Sequence, residues 1–169
     1  MSHQNVEVGR RILDAYNRRD RDAYLALCDP EMEWIPPSDW PEAAPVRGRE
    51  AIWDFIVEVD EPWERGFYEL VDVKAGRDDK IVAHLRRVVR GKTSGIDTTF
   101  EYWNVATFRN GRQLRAEWFT DGAEAVLVPE LEGLRIPGAK VDAADAGALL
   151  PGRGPSHPSA QSTATLAHR

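Results

Sequence analysis

The chain of 169 residues predicts an α+β fold, with helices first and a curved antiparallel sheet packed on them. Three observations carry this. From Gln4 to Val59 apolar residues recur mostly at three- and four-residue spacing, whereas from Phe67 to Asp121 they alternate or run together as strands do. Asn110-Gly111 stands between two runs rich in aromatic and β-branched residues, and these two residue types readily take the positive φ angles of a type I′ hairpin turn. Both faces of that hairpin are apolar, so each needs a cover: helices on one side, and a second sheet from another copy on the other.

In order, Val8, Ile12, Leu13 and Tyr16 form the buried stripe of a first helix over about Gln4–Arg18. Asp20 can cap a second, short helix with Ala23, Tyr24, Leu27 and Cys28 inward, and Pro30 stops it. Glu31 to Ile35 alternates acidic and apolar residues, which suits a strand with one buried face, and Pro36-Pro37 ends it. The loop that follows contains Trp40, whose area favours folding back over something apolar. Arg49–Val59 is a third helix with Ile52, Phe55, Ile56 and Val59 inward and Trp53 off the stripe. Trp63 opens a turn, and Phe67–Lys74 and Ile81–Arg90 are strands leading into the hairpin. No Phe, Tyr or Trp follows Phe119. From Pro137 onward Ala, Gly, Pro and Ser dominate, too little apolar surface to offset the entropy of ordering. The expected layout is one domain over residues 1–136 and a disordered tail over 137–169.

Composition narrows the function. A net charge of −6 and no basic run interleaved with aromatics disfavour nucleic acid. The single cysteine, Cys28, has apolar neighbours and reads as a buried thiol without redox chemistry. No apolar run reaches the ~18 residues of a membrane span and the N-terminus lacks a signal core, so a cytoplasmic, soluble protein is expected. No HExxH, CxxC, glycine-rich phosphate loop or nucleophile motif occurs, so neither metal nor nucleotide cofactor is expected.

Pairing Arg109 with Arg112 puts Trp103, Val105, Leu114, Ala116 and Trp118 on one hairpin face, with Glu101 and Thr120 at its far end. Phe100, Tyr102, Asn104, Ala106, Phe108, Arg115, Glu117 and Phe119 then occupy the other.

The layout resembles the NTF2-like superfamily, and within it the SnoaL-like polyketide cyclases and ketosteroid-isomerase-like proteins. The resemblance rests on AYNRRDRDAYLALCDPEMEW in the first two helices and first strand, GREAIWDF in the third helix, TFRNG at the turn and WFTDGAEA after the last strand. It implies a cone in which a curved sheet wraps three helices around a deep, mostly apolar pocket, with dimers formed through the outer sheet face. It also suggests that the hairpin face with Trp103, Val105, Leu114, Ala116 and Trp118 lines that pocket.

The catalytic residues of relatives do not carry over. In ketosteroid isomerases the first-helix tyrosine, the aspartate base and the sheet aspartate fall here at Ile12, Pro36 and Trp103 or Asn104. One aspartate of the limonene-epoxide-hydrolase set falls near Trp118, and the partner strand offers Arg86 and Arg87 but no acid. What remains for proton transfer is His84, Arg86 and Glu101 on neighbouring strands. They face the pocket if the even residues of Ile81–Arg90 point inward. The odd set, Ile81, Ala83, Leu85 and Val89, is the more apolar, and binary patterning would turn that set inward instead. Expected ligand contacts are Tyr16, Trp34, Phe55, Trp103, Val105, Leu114 and Trp118. The expected function is a pocket for a small hydrophobic molecule with cofactor-free acid/base chemistry, or the same pocket without turnover.

Overall fold

The computed structural model describes residues 2–40, 44–125 and 127–128. The expected tail lies outside them. Helix α1 (Ser2–Asn17) and helix α2 (Arg21–Leu27) meet at a corner where Arg19 N–H donates to the Tyr16 carbonyl and Asp20 N–H to that of Ala15. This double bond is the Schellman ending of a helix, with Arg19 in the left-handed position at φ 58° that glycine usually fills. Asp20 then caps α2 by accepting from Ala23 N–H.

Strand β1 (Cys28–Ile35) is followed by the short β2 (Val46–Arg47) and helix α3 (Arg49–Asp60). The rest of the sheet is β3 (Trp63–Ala75), β4 (Lys80–Gly91), β5 (Asp97–Arg109) and β6 (Arg112–Phe119), followed by one turn of helix, α4 (Gly122–Ala125). The six strands lie in the order β2-β1-β6-β5-β4-β3. The sheet is mixed rather than wholly antiparallel, because β1 returns beside β6 in parallel. Two smaller departures follow from packing. Trp63 begins β3, and Trp53 is buried against Tyr24 of α2, at 5.1 Å between rings, because α2 covers that side of α3.

The turn forms as expected, with Asn110 at φ 52° and Gly111 at φ 73°. Arg109 does pair with Arg112, and Phe108 with Gln113. The next pair, however, is Thr107 with Arg115, so Leu114 is an extra residue in β6. A bulge of this kind slips all later pairs by one, which is enough to change which side chains share a face. Asn104 therefore stands opposite Trp118 and Ala106 opposite Ala116, while Trp103 pairs with Phe119 and Val105 with Glu117. Ala116 and Trp118 keep their expected face, but Trp103, Val105 and Leu114 do not share it.

The same alternation runs into β4, where Ala83 pairs with Asn104, Leu85 with Tyr102 and Arg87 with Phe100. Ala83, Leu85, Arg87 and Asn104 look toward α1 and α3. On the reverse face Val82, Trp103 and Val105 are buried with Ala125 of α4, so α4 covers part of the surface expected to meet another copy.

The turn offers a direct check. Gly111→Val forces a β-branched side chain to φ near +73°, which should cost about 1–2 kcal/mol and lower Tm by roughly 2–8 °C. An unchanged melting temperature would contradict the type I′ geometry.

Candidate functional site

Between the helices and the concave face lies a cavity lined by all three main layers. Ile12, Leu13 and Tyr16 come from α1, Met32 and Trp34 from β1, and Phe55, Ile56, Val59 and Asp60 from α3. The sheet adds Tyr68, Leu70 and Val73, then Ala83, Leu85 and Arg87, then Asn104, Ala106, Gln113, Ala116 and Trp118. Its interior volume is about 110 Å³, room for several waters. A wider groove of about 500 Å³ on the reverse face is shallow and walled by Glu31, Glu33, Arg47 and Arg115. Glu33 is paired there with both arginines, so we take the aromatic cavity as the site.

Its walls are rings in mutual contact. Trp34 lies 5.0 Å from Phe55, 6.1 Å from Trp40 and 6.2 Å from Trp118 between centroids. Tyr68 sits 5.6 Å from Trp118 and 5.3 Å from Tyr16, and Tyr102 is 6.0 Å from Trp118. Trp40 thus folds over the cavity, as its loop position suggested. Stiff rings supply large apolar contact with few rotamers to freeze.

One polar cluster interrupts these walls. The Asp60 carboxylate, only 9% exposed at the last position of α3, accepts from the Tyr16 hydroxyl at 2.5 Å and from Arg19 Nη1 at 2.5 Å through Oδ2. Its other oxygen accepts from Arg87 Nη2. A helix C-terminus repels a carboxylate, so this placement depends on the two guanidinium groups. Burial pushes the Tyr16 phenol well above its ordinary pKa, and the Asp60 charge adds to this, so Tyr16 stays a proton donor. Burial disfavours the Arg87 charge, yet Tyr68, Tyr16 and Asp60 around it together hold its pKa above the usual guanidinium value. Arg87 is therefore a fixed cation in an apolar wall, with its Cζ 5.6 Å from the Tyr68 ring centre. Burial also lifts the Cys28 thiol to about 12, consistent with an inert core cysteine.

Of the residues expected to contact a ligand, Tyr16, Trp34, Phe55 and Trp118 line this cavity. Trp103, Val105 and Leu114 do not, because the Leu114 bulge sends the first two to the reverse face and opens Leu114 onto the shallow groove. The expected acid/base set does assemble, with His84 Nε2 at 2.7 Å and Arg86 Nε at 2.9 Å from the Glu101 carboxylate. It assembles on the wrong side for the cavity. The odd residues of β4 line it, and His84 stacks on Trp103 at 4.6 Å on the reverse face.

Asp60 and Arg87 escaped the sequence reading. The available signal was Arg87 itself, a charge inside the apolar odd set Ile81, Ala83, Leu85 and Val89. If that set faces inward its arginine must find a buried carboxylate.

Solved structures share this architecture. An NTF2-like protein from Burkholderia pseudomallei is 24% identical, with 73% of this chain and 95% of that one covered at a TM-score of 0.62. A Jannaschia protein assigned to the SnoaL-like polyketide cyclases is 22% identical over 78% of this chain and 94% of that one, at a TM-score of 0.63. TerC, crystallised with polyporic acid, is 20% identical over 72% and 95%, at 0.61. Identities this low bear on the fold alone. No curated protein matches the sequence. The SnoaL-like domain itself matches residues 9–116, from within the first helix into the last strand, which takes in most of the cavity's walls, and the chain belongs to that family.

Proposed function

We propose that this protein binds a hydrophobic, ring-containing small molecule in the cavity and acts on it by cofactor-free acid/base chemistry of the isomerisation, cyclisation or hydration class. The observation that carries this is the Asp60, Tyr16 and Arg87 cluster set into aromatic walls. In such reactions a proton leaves a carbon beside a carbonyl while negative charge builds on the oxygen. A preorganised guanidinium among apolar walls stabilises that charge far better than water does. Asp60, oriented by Arg19, Arg87 and Tyr16, is the carboxylate that exchanges the proton. That TerC, a protein of the same fold, was crystallised with polyporic acid supports a small-molecule ligand here.

One observation favours a second reading, binding without turnover. Asp60 already accepts from three donors, which leaves little of its lone-pair capacity for a substrate proton. Native mass spectrometry of the protein as isolated identifies the bound compound, and incubation of that compound with fresh protein separates the two readings. Turnover that Asp60→Asn abolishes, with affinity kept within about tenfold, identifies Asp60 as the acid/base group. A compound recovered unchanged leaves binding alone. A protein that carries no ring compound and shows no quenching of tryptophan emission by one would overturn both.

Because His84 and Glu101 lie on the reverse face, His84→Gln and Glu101→Gln should leave cavity affinity and turnover within about twofold. Loss of turnover in either would return the acid/base role to that face. Glu101 matters instead for stability. Burial raises its pKa, but Arg86 and His84 outweigh this and hold its carboxyl below the ordinary glutamate value. The stability it contributes is present above the unfolded pKa and is lost as pH falls through the lowered one. Glu101→Gln should flatten that part of the acid limb of a Tm-against-pH profile, and an unchanged limb would show the pair to be energetically idle.

We further propose that two copies associate through the outer sheet face, where Phe67 pairs with Val88 and both remain half exposed. Tyr102 and Phe108, assigned to that surface by sequence, are instead buried in the core against the helices. Sedimentation at micromolar concentration should give a dimer that Val88→Asp disrupts. A monomeric wild type would refute the association.

A further inference from the structure

Two buried donors in the cavity have no acceptor among the described residues. Arg87 is 4% exposed, and while its Nη2 is spent on Asp60, its Nε–H has no hydrogen-bond partner. The indole Nε1–H of Trp118 is likewise buried and unpartnered. Donors shut away from water are seldom left unmade in folded proteins, because the lost hydration is not returned by anything else. Both belong to residues that line the cavity, and both flank one ring: the Tyr68 centre lies 5.6 Å from the Trp118 ring and 5.6 Å from Arg87 Cζ.

The charges lean the same way. Asp60 is met by two guanidinium groups, Arg19 and Arg87, so one carboxylate faces two positive charges. Arg10 adds a third cation on the cavity lining. The nearby hydroxyls do not supply an anion. Burial raises the pKa values of Tyr68 and Tyr102 as well as that of Tyr16, so all three remain neutral at physiological pH.

We propose that the cavity selects planar ring compounds bearing an anionic oxygen, a carboxylate, phenolate or enolate, which accepts from Arg87 Nε–H and Trp118 Nε1–H while the ring lies among Tyr68, Trp34 and Trp118. This rests on the pocket reading and narrows it to a ligand class. Among the described residues neither donor has a hydrogen-bond partner, and charge-assisted bonds are the stronger kind. An anion entering the apolar walls is already compensated by the surplus cation.

The test uses the full chain and a pair of matched probes, 2-naphthoate and its neutral counterpart 2-naphthamide, each titrated by quenching of tryptophan emission at pH 7.5. The anion should bind at least about tenfold more tightly than the amide, with little dependence on salt because the contact is buried. Trp118→Phe should weaken both probes through lost ring contact, but naphthoate severalfold more than the amide. Arg87→Met should erase the preference altogether. If that variant fails to fold because Asp60 is left with too few partners, the wild-type comparison and Trp118→Phe decide alone. Equal binding of the two probes overturns this inference and leaves the pocket reading standing. Binding of neither probe overturns the pocket reading and this inference together.

Discussion

A carboxylate closed off from water at the wrong end of a helix sets the geometry of this protein. Asp60 terminates α3, where the helix dipole opposes a negative charge, and it stays there because Tyr16 of α1, Arg19 of the α1–α2 corner and Arg87 of β4 all converge on it. Removing one partner from such a cluster strands the others, a cost of about 3–5 kcal/mol for buried pairs. The four groups come from four separate elements, so their mutual need fixes how α1, α3 and the sheet sit relative to one another. Arg19 even adopts a left-handed backbone conformation, φ 58°, where glycine would be more comfortable. A glycine there would ease the corner and lose the guanidinium.

A second constraint keeps the interior from closing. Asn17, at the end of α1, both donates to the Tyr68 carbonyl and accepts from the Tyr68 amide, at 2.8 and 2.9 Å, which holds the helix end against β3. Midway along the helix Gly9 allows close approach, since a Cβ there would lie 2.7 Å from Ile81 Cδ1. The helix is thus held at its end and at its middle. Between those points stand the rings of Tyr68, Trp34 and Trp118, too stiff to fill the space themselves, and a cavity with one charged patch remains. The reverse face has a different character, with ion pairs among Glu69, Arg86 and Glu101 and a stacked His84–Trp103 pair beside the turn of α4.

Much of this was legible in the sequence, because helical spacing, the Asp20 cap and the Asn110-Gly111 turn are local signals that local physics obeys. Trp40 over the cavity and Tyr16 on its wall also follow from local pattern and area. What the residues did not disclose is the Leu114 bulge. One extra residue within a strand leaves the alternation nearly intact on either side, yet it separates Trp103 and Val105 from Trp118. The displaced acid/base set has the same cause one strand further on, since the facing of β4 is coupled to that of β5. The parallel pairing of β1 with β6 is likewise invisible locally, being a contact between strands almost eighty residues apart. Asp60 was obscured for another reason. At the end of an amphipathic helix an aspartate reads as solvated, and only the inward arginine at position 87 contradicts that.

The claim on which this account depends is that a ligand meets the face carrying Trp118 and not the face carrying Trp103. The six tryptophans give one indole N–H resonance each in a ¹⁵N-labelled sample, and single Trp→Phe replacements assign them. On addition of 1-naphthol, a neutral ring compound chosen to report position and not charge, the resonances of Trp34, Trp40 and Trp118 should move while those of Trp63 and Trp103 stay fixed. Movement of Trp103 with Trp118 unaffected would contradict the account and place the binding face on the other side of the sheet.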